Sequence, residues 1–487
     1  MMVYMKVSDV GCDDLENYTK DTVEADSGFN FYSSVEKYYD VVVVGGGPVG
    51  CFAAHGFASQ GVSVLVVEEH HEIGFPVHCA GFITPRSLEM VNEGDRARTT
   101  ILNSLVNAKV HAPDGRIVEI PGKVPRAYLV DRARFDRVVA ERAVVAGAGI
   151  LLNCRATGIS INPMLKGKKE AVSVFLQFRG KEVEVKCSLL IGADGVAGRV
   201  AKWCGLPGPD VIFPGLILRM AGLHLKPDTV ELFVGKDMIP DFFAWVIPQG
   251  NQGNALVGLA LGSAPPSRAG CMKDDPEQLK EMHFLQIKAD GNPSLFHHGL
   301  SQLPYGMPSL LFIESLLSNP AFRDIFSGGR VLGYYAGGIP VGFNQRTYSD
   351  NVILVGDAAC QVKPLSGGGI YTGFLAASCA CKVGLTALRK GDLSAEVLAD
   401  YQRMWEGAFG REIRTGLLLR KAWLNIDDAT INSILKDIDD PAVLQMISTY
   451  GDIDYPSRVA RVLLKRSPRF IKYAPSFLIS LLKERGA

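Results

Sequence analysis

Two glycine turns roughly 300 residues apart carry the groups in this chain best suited to chemistry. The first is Gly45-Gly46-Gly47-Pro48-Val49-Gly50. Its G-x-G-x-x-G spacing suits a pyrophosphate. Gly45 permits a tight turn, Gly47 lets the backbone approach the phosphates, and Gly50 lets the next helix pack close to the strand. Glu68 lies eighteen residues past Gly50, where a carboxylate accepts hydrogen bonds from ribose hydroxyls. A carboxylate at that place disfavours a 2′-phosphate, so FAD or NAD fits better than NADP. The second turn is Gly356-Asp357-Ala358-Ala359, followed by Pro364-Leu365-Ser366-Gly367-Gly368-Gly369. Gly356 allows close approach, and Asp357 suits the ribityl or pyrophosphate region of a flavin dinucleotide. The bland alternative for Asp357 is a helix N-cap. Amides of Gly367, Gly368 and Gly369, at the start of a helix, suit negative charge on a reduced redox ring.

These groups need elements to hold them. Tyr39-Asp40-Val41-Val42-Val43-Val44 reads as a buried parallel strand, because it is short, apolar and β-branched. A helix opens at Cys51 and ends near Gln60-Gly61, a C-cap signal. Its N-terminal amides and dipole favour phosphate. Val62 to Val67 is the second strand and delivers Glu68. Val130-Asp131-Arg132-Ala133-Arg134-Phe135-Asp136 opens an amphipathic helix running to about Ala146. Ser188-Leu189-Leu190-Ile191 is a strand running into Gly192-Ala193-Asp194-Gly195. Phe243-Ala244-Trp245-Val246-Ile247-Pro248 reads as β-sheet. Asn351 to Val355 is a buried strand that delivers the second turn, and a long helix follows from about Gly368 to Arg389 with Gly391 as its stop.

Composition sets bounds. The 487 residues suit two or three intimately packed parts, and 47% hydrophobic content supports a large core. Formal net charge is zero, which argues against nucleic acid as a partner. Ten scattered cysteines form no C-x-x-C, so neither zinc nor an iron–sulfur cluster is indicated. Cys379 and Cys381 read as small core residues in a reducing compartment. No apolar run reaches the ~18 to 20 residues of a membrane span, and the N-terminus lacks a secretory apolar region. Residues 1–37 carry eight acidic and three basic side chains and read as a mobile or accessory extension.

Taken in order, these residues resemble the geranylgeranyl reductase family, a branch of the flavoproteins built like p-hydroxybenzoate hydroxylase. The resemblance spans roughly residues 38–390. It rests on the first turn with Glu68, on Glu72-Ile73-Gly74-Phe75-Pro76-Val77-His78-Cys79-Ala80-Gly81, on Arg132 with Phe135-Asp136, on Gly192-Ala193-Asp194-Gly195, and on Gly356-Asp357 with Pro364 and the triple glycine. Its most discriminating element is Phe243-Ala244-Trp245-Val246-Ile247-Pro248. The family usually has Phe where this chain has Ile247, and Ile at that place is the pattern of flavin-dependent halogenases. Lys363 stands where relatives often carry Asp.

The resemblance implies an α/β fold: a discontinuous Rossmann-like FAD-binding domain (38–100, 126–215 and 331–390), a β-rich substrate domain (101–125 and 216–330) and a helical C-terminal region (391–487). The stretch 262–330 is expected to include an insertion over a tunnel mouth. The implied cofactor is FAD, held by Gly45, Gly47, Pro48, Val49, Gly50, Glu68, Glu69, Cys79, Ala80, Arg132, Asp194, Gly195, Gly356, Asp357, Gly367, Gly368, Gly369 and Ile370, with no metal. Arg132 would neutralise a phosphate or close over the FAD; the alternative is a surface salt bridge.

The implied reaction saturates double bonds of geranylgeranyl groups on an isoprenoid ether lipid. Reduced flavin gives the hydride. A proton donor and an electron-rich wall help an alkene that develops carbocation character. Cys79, with His78 beside it, is the candidate near the flavin ring; its alternative is a small buried hydrophobe. Phe243, Trp245 and Pro248 are expected to bind substrate, against ordinary core packing. His70 and His71 read as a solvated turn. Two other functions stay open: a flavin monooxygenase or halogenase, and a non-catalytic FAD- or lipid-binding protein. The expected partners are a prenylated lipid and an electron donor of unread identity: a ferredoxin, a reduced cofactor or NAD(P)H. Arg458 to Ala487 holds eight basic residues and one acidic one among apolar side chains, compatible with peripheral contact at an anionic membrane surface. The alternative is a basic-faced helix packed on the protein body. The expected location is the cytoplasm, at or near the membrane.

Overall fold

A computed structural model of the chain describes residues 36–91, 95–262 and 308–473. The bulk of the acidic extension lies outside the described residues. So do Cys12, Cys271, most of the stretch expected over the tunnel mouth, and the end of the basic C-terminal segment.

Valine-rich segments build the first layer. Tyr38–Val44 pairs in parallel with Val64–Val67, which pairs in parallel with Gly149–Leu151. On the other side lie Lys181–Gly192 and then Val352–Leu354, itself parallel to Lys181–Gly192. These strands belong to an eight-stranded sheet whose remaining members include an antiparallel meander, Cys154–Ile161 and Val172–Phe178. Val41, Val43, Val64, Val66, Leu189, Ile191 and Ile353 are buried in one core with two helices, Pro48–Ala58 and Ile370–Lys390. The helices approach so closely that a Cβ on Gly56 would lie 2.5 Å from Cys381 Sγ. That thiol donates to the Ala53 carbonyl at 3.4 Å, so Cys381 is a packing residue. The Ile370–Lys390 helix is long and apolar enough to cross a membrane, but most of its apolar window is buried in this core. It ends on Gly391 in the left-handed region, as the sequence predicts.

The second layer is a seven-stranded sheet. Its order is Arg330–Val341, Val211–Ala221, Ala255–Ala260, Ala244–Pro248, Thr229–Phe233, Asn107–His111 and Ile117–Ile120. The divisions drawn from sequence at 215 and 331 fall inside or at the edge of strands in this sheet. Arg330–Val341 joins it by pairing with Val211–Ala221. A three-stranded sheet (Phe82–Ile83, Ala127–Val130, Ile101–Leu105) supports the loop before it. Helices Ala395–Trp405, Arg411–Leu424, Asp428–Ile438, Pro441–Tyr450 and Ser457–Arg466 complete the described C-terminal region.

Candidate active site

A cavity of about 1090 Å³ lies among these layers. Pockets for drug-sized ligands run roughly 300–1,000 Å³, so there is room for a dinucleotide and a second, apolar chain.

The first glycine turn forms one end. Gly45 N donates to Val67 O at 2.9 Å, which ties the turn to the second strand. Gly45 has φ +105°, and a Cβ there would lie 2.3 Å from Ala193 O. A Cβ on Gly50 would lie 2.1 Å from Gly45 O. Gly50 therefore seats the helix against the strand, and it does not line the cavity. Gly47 differs from both. Its backbone is extended (φ −66°, ψ 174°), it lines the cavity, and a Cβ there would meet no protein atom within 4 Å. The space beside Gly47 is left open by the protein.

Carboxylates stand around this end. Glu68 accepts from Gly46 N at 2.7 Å and from His70 N at 3.0 Å. His70 Nδ1 lies 2.6 Å from Glu68 Oε1, so His70 braces the acid and is more than a solvated turn. Glu69 pairs with Arg155 at 2.9 Å. Asp194 Oδ2 accepts from Arg199 N and Val200 N at 2.6 and 3.0 Å, which fixes the carboxylate. Its Oδ1 is buried without a partner. Gly195, at φ +72°, continues the same turn.

Asp357 sits beside the second turn, half-buried on the cavity wall. It does not cap the 3-10 turn Gly356–Ala359. Burial pushes its carboxyl up to about 6, with the Arg132 charge pulling the other way. Arg132 is half-buried and holds the buried Asp136 in a two-armed pair at 3.1 and 3.0 Å. Burial works against the guanidinium charge, but Asp136, and then the nearby Cys79 sulfur, more than offset it. Arg132 is thus a permanent cation between Cys79 and Asp357, and no surface salt bridge.

The loop bearing His78, Cys79 and Ala80 lies across the start of the Arg132–Val145 helix. A Cβ on Gly81 would lie 2.3 Å from Val130 O, and one on Gly74 2.7 Å from Ala133. His78, Cys79 and Ala80 line the cavity. His78 is exposed and its Nδ1 lies 2.8 Å from Ala336 O.

The inner face of the seven-stranded sheet roofs the cavity with Ile217, Val230, Leu232, Phe243, Trp245 and Ile247. Trp245 fits edge-on over Gly258, where a Cβ would lie 2.6 Å from the indole. Phe243 meets it edge to face at 5.7 Å between centroids. Pro248 departs from expectation and does not line the cavity. The pleat puts it on the opposite face from Phe243, Trp245 and Ile247, and its carbonyl accepts from Asn103 Nδ2 at 2.8 Å.

Thus Gly45, Gly47, Pro48, Val49, Glu68, Glu69, Asp194, Gly195, Gly356, Asp357, Gly367, Gly368, Gly369 and Ile370 share one cavity with Cys79, Arg132, Phe243 and Trp245. Sequence reasoning missed the remaining wall. Ile447, Ser448, Gly451, Asp452 and Ile453 come from the C-terminal region. Arg126 grips this segment by donating to the carbonyls of Ser448 and Gly451. No motif marks these residues.

A model of the FAD binding domain matches residues 38–255. A digeranylgeranylglycerophospholipid reductase from Methanococcoides burtonii is 30% identical over 417 residues, covering 83% of this chain and 90% of the relative. Its namesake from Methanosarcina mazei is 30% identical over 415 residues, covering 82% and 89%. A geranylgeranyl bacteriochlorophyll reductase-like crystal structure from Thermoplasma acidophilum superposes with a TM-score of 0.71 at 23% identity, covering 91% of this chain and 99% of that one. The chain carries an FAD-binding domain and belongs to the geranylgeranyl reductase family of flavoproteins.

Proposed function

We propose that the protein uses FAD to saturate the double bonds of geranylgeranyl chains on an ether-linked phospholipid. One observation carries this: a dinucleotide turn and a second glycine turn open into the same cavity as an apolar, aromatic roof. The relatives are named reductases, so the halogenase alternative is not favoured.

The residues suit FAD. Open space beside Gly47 would admit the pyrophosphate to the backbone amides. The carboxyl of Asp357, on the cavity wall, is an acceptor for a hydroxyl donor. Gly367, Gly368 and Gly369 precede the Ile370–Lys390 helix, whose N-terminus favours negative charge. When bound and reduced, FAD supplies the hydride. Phe243 and Trp245 hold the chain and exclude water. Their ring faces stabilise positive charge that develops as the alkene is protonated.

Cys79, which lines the cavity with Arg132, is the candidate to hold the proton at its Sγ. His78, beside it on the cavity wall and held to Ala336 O, fixes the loop. With dithionite as reductant and oxygen excluded, a geranylgeranyl ether phospholipid should gain two hydrogens per double bond by mass. Cys79→Ala should slow this by about 10²-fold or more if the thiol delivers the proton. An unchanged rate would leave Cys79 as a small cavity-lining residue.

Peripheral membrane contact completes this reading. Arg458, Arg469 and Lys472 are paired with Asp452, Asp440 and Asp437, so part of the basic segment serves the protein body. Leu464 and Ile471 nonetheless stay about half exposed (48% and 54%), with Lys465 beside Leu464. A joint Leu464→Glu and Ile471→Glu change should reduce co-sedimentation with anionic liposomes; binding equal to wild type would remove the membrane contact from this segment.

A further inference from the structure

The cavity wall supplied by residues 451–453 is held by a charge cluster for which the reduction chemistry above has no use. Lys363 is 7% exposed and Asp454 2%. Lys363 Nζ donates to Asp454 Oδ1 at 2.8 Å and to Ile453 O at 3.3 Å. Arg86 chelates Asp452 at 2.8 and 3.0 Å and reaches Asp454 Oδ2 at 3.2 Å. Tyr371 and Tyr455 share a hydroxyl contact at 3.1 Å. Three separate parts of the flavin-binding side thus grip one short C-terminal loop.

Lys363 holds more than the loop. Its carbonyl accepts from Gly367 N at 2.9 Å, and its own N–H donates to Gly368 O at 3.1 Å. A Cβ on Gly368 would lie 2.9 Å from Lys363 Cε. The side-chain stem therefore runs under the triple glycine, and the ammonium continues to Asp454. Both Lys363 and the backbone it grips line the cavity.

We infer that Lys363 is a positioning residue: its buried pair with Asp454 locks the Gly451–Tyr455 loop at a fixed distance from the triple-glycine turn, making the C-terminal region the wall that registers the prenyl chain. This rests on the proposed reaction. A buried ion pair adds little net stability over an apolar pair of the same shape, but it fixes one geometry, because each charge tolerates no other neighbour. A purely structural staple would be met as well by apolar packing. The position of this pair, between the turn and the chain-binding wall, gives it a role in alignment.

Lys363→Met tests this, since it keeps the stem under Gly368 and removes the ammonium. Asp454 retains Arg86 at 3.2 Å, so the variant is expected to fold. Its FAD content and flavin absorption should equal those of wild type. KM for the geranylgeranyl lipid should rise about tenfold while kcat changes less than about threefold, the signature of lost chain binding. Proteolysis within 451–456 should quicken about tenfold. Asp454→Asn should do the same, and the double variant should be no worse than either single, because the two groups act through each other. Unchanged KM and cleavage would overturn the inference. So would loss of FAD from Lys363→Met, which would assign Lys363 to the cofactor. Should wild type reduce no prenyl lipid, the reaction itself falls, and the proteolysis comparison still decides whether the pair locks the loop.

Discussion

Gly47→Ala should leave the apoprotein folded and as stable as wild type, yet weaken FAD binding about 100-fold. The two halves of this result have separate causes. In the apoprotein the new methyl meets no protein atom within 4 Å, and the backbone is extended, which alanine adopts freely. Any small loss at the helix N-cap is offset by the lower entropy of the unfolded chain, worth about 0.4–1 kcal/mol. A bound pyrophosphate needs the space the methyl fills. Pushing it away forfeits one or two charge-assisted hydrogen bonds at about 1.5–3 kcal/mol each. Gly45→Ala is the contrasting control. Its Cβ would lie 2.3 Å from a backbone oxygen at φ +105°, so this variant should lose about 3 kcal/mol or more of stability along with its flavin. Equilibrium titration of apoprotein with FAD, beside denaturant unfolding, reads both. Unweakened FAD binding by Gly47→Ala would place the pyrophosphate elsewhere.

Asp357→Asn should move stability and cofactor affinity in opposite directions. Burial holds the Asp357 carboxyl up at about 6 against an ordinary value near 3.8. Between those values the folded state binds more protons than the unfolded state, so stability falls as pH rises. Below about pH 4 the acid is neutral in both states and nothing is lost; above about pH 6 the cost is complete. Two pKa units correspond to about 3 kcal/mol as an upper figure. The asparagine carries no charge to desolvate, so the variant apoprotein should be more stable than wild type at pH 7. The gap should close by pH 4. FAD, in turn, should bind about tenfold more weakly, because an amide is a poorer acceptor for a hydroxyl than a carboxylate. A destabilised variant at pH 7 would show that the carboxylate serves the fold. Equal FAD affinity would show that it does not touch the cofactor.

The strand–turn–helix–strand unit with Glu68 was legible because each signal is local. Four valines mark the strand, glycine spacing marks the turn, and Glu68 follows at a fixed offset. Gly50 packs the helix on the strand, as the fingerprint predicts, and leaves the cavity to Gly45 and Gly47, so its place among the residues expected to hold FAD is the part not matched by the cavity lining. The run through Trp245 was read as sheet, and the pleat then decides which residues face inward: Phe243, Trp245 and Ile247 line the cavity, and Pro248 falls on the opposite face with Ala244 and Val246. Arg330–Val341 was hard to assign to a layer, since Gly333, Gly337 and Gly338 break any apolar alternation. A Cβ on Gly337 would lie 3.0 Å from His78 O, so the glycines there serve a close approach that no periodicity announces. The C-terminal wall was invisible for a different reason. Arg86 meets Asp452 across 366 residues and Lys363 meets Asp454 across 91. Charges buried against distant partners look, in sequence, like solvated ones.

The reaction is tested most directly by the flavin itself. The FAD-loaded protein is reduced with dithionite, excess reductant is removed without oxygen, and a geranylgeranyl ether phospholipid is added. Re-oxidation of the flavin, matched by two hydrogens gained per double bond, is the expected result. A flavin that stays reduced beside the lipid until oxygen enters would contradict lipid reduction by this site.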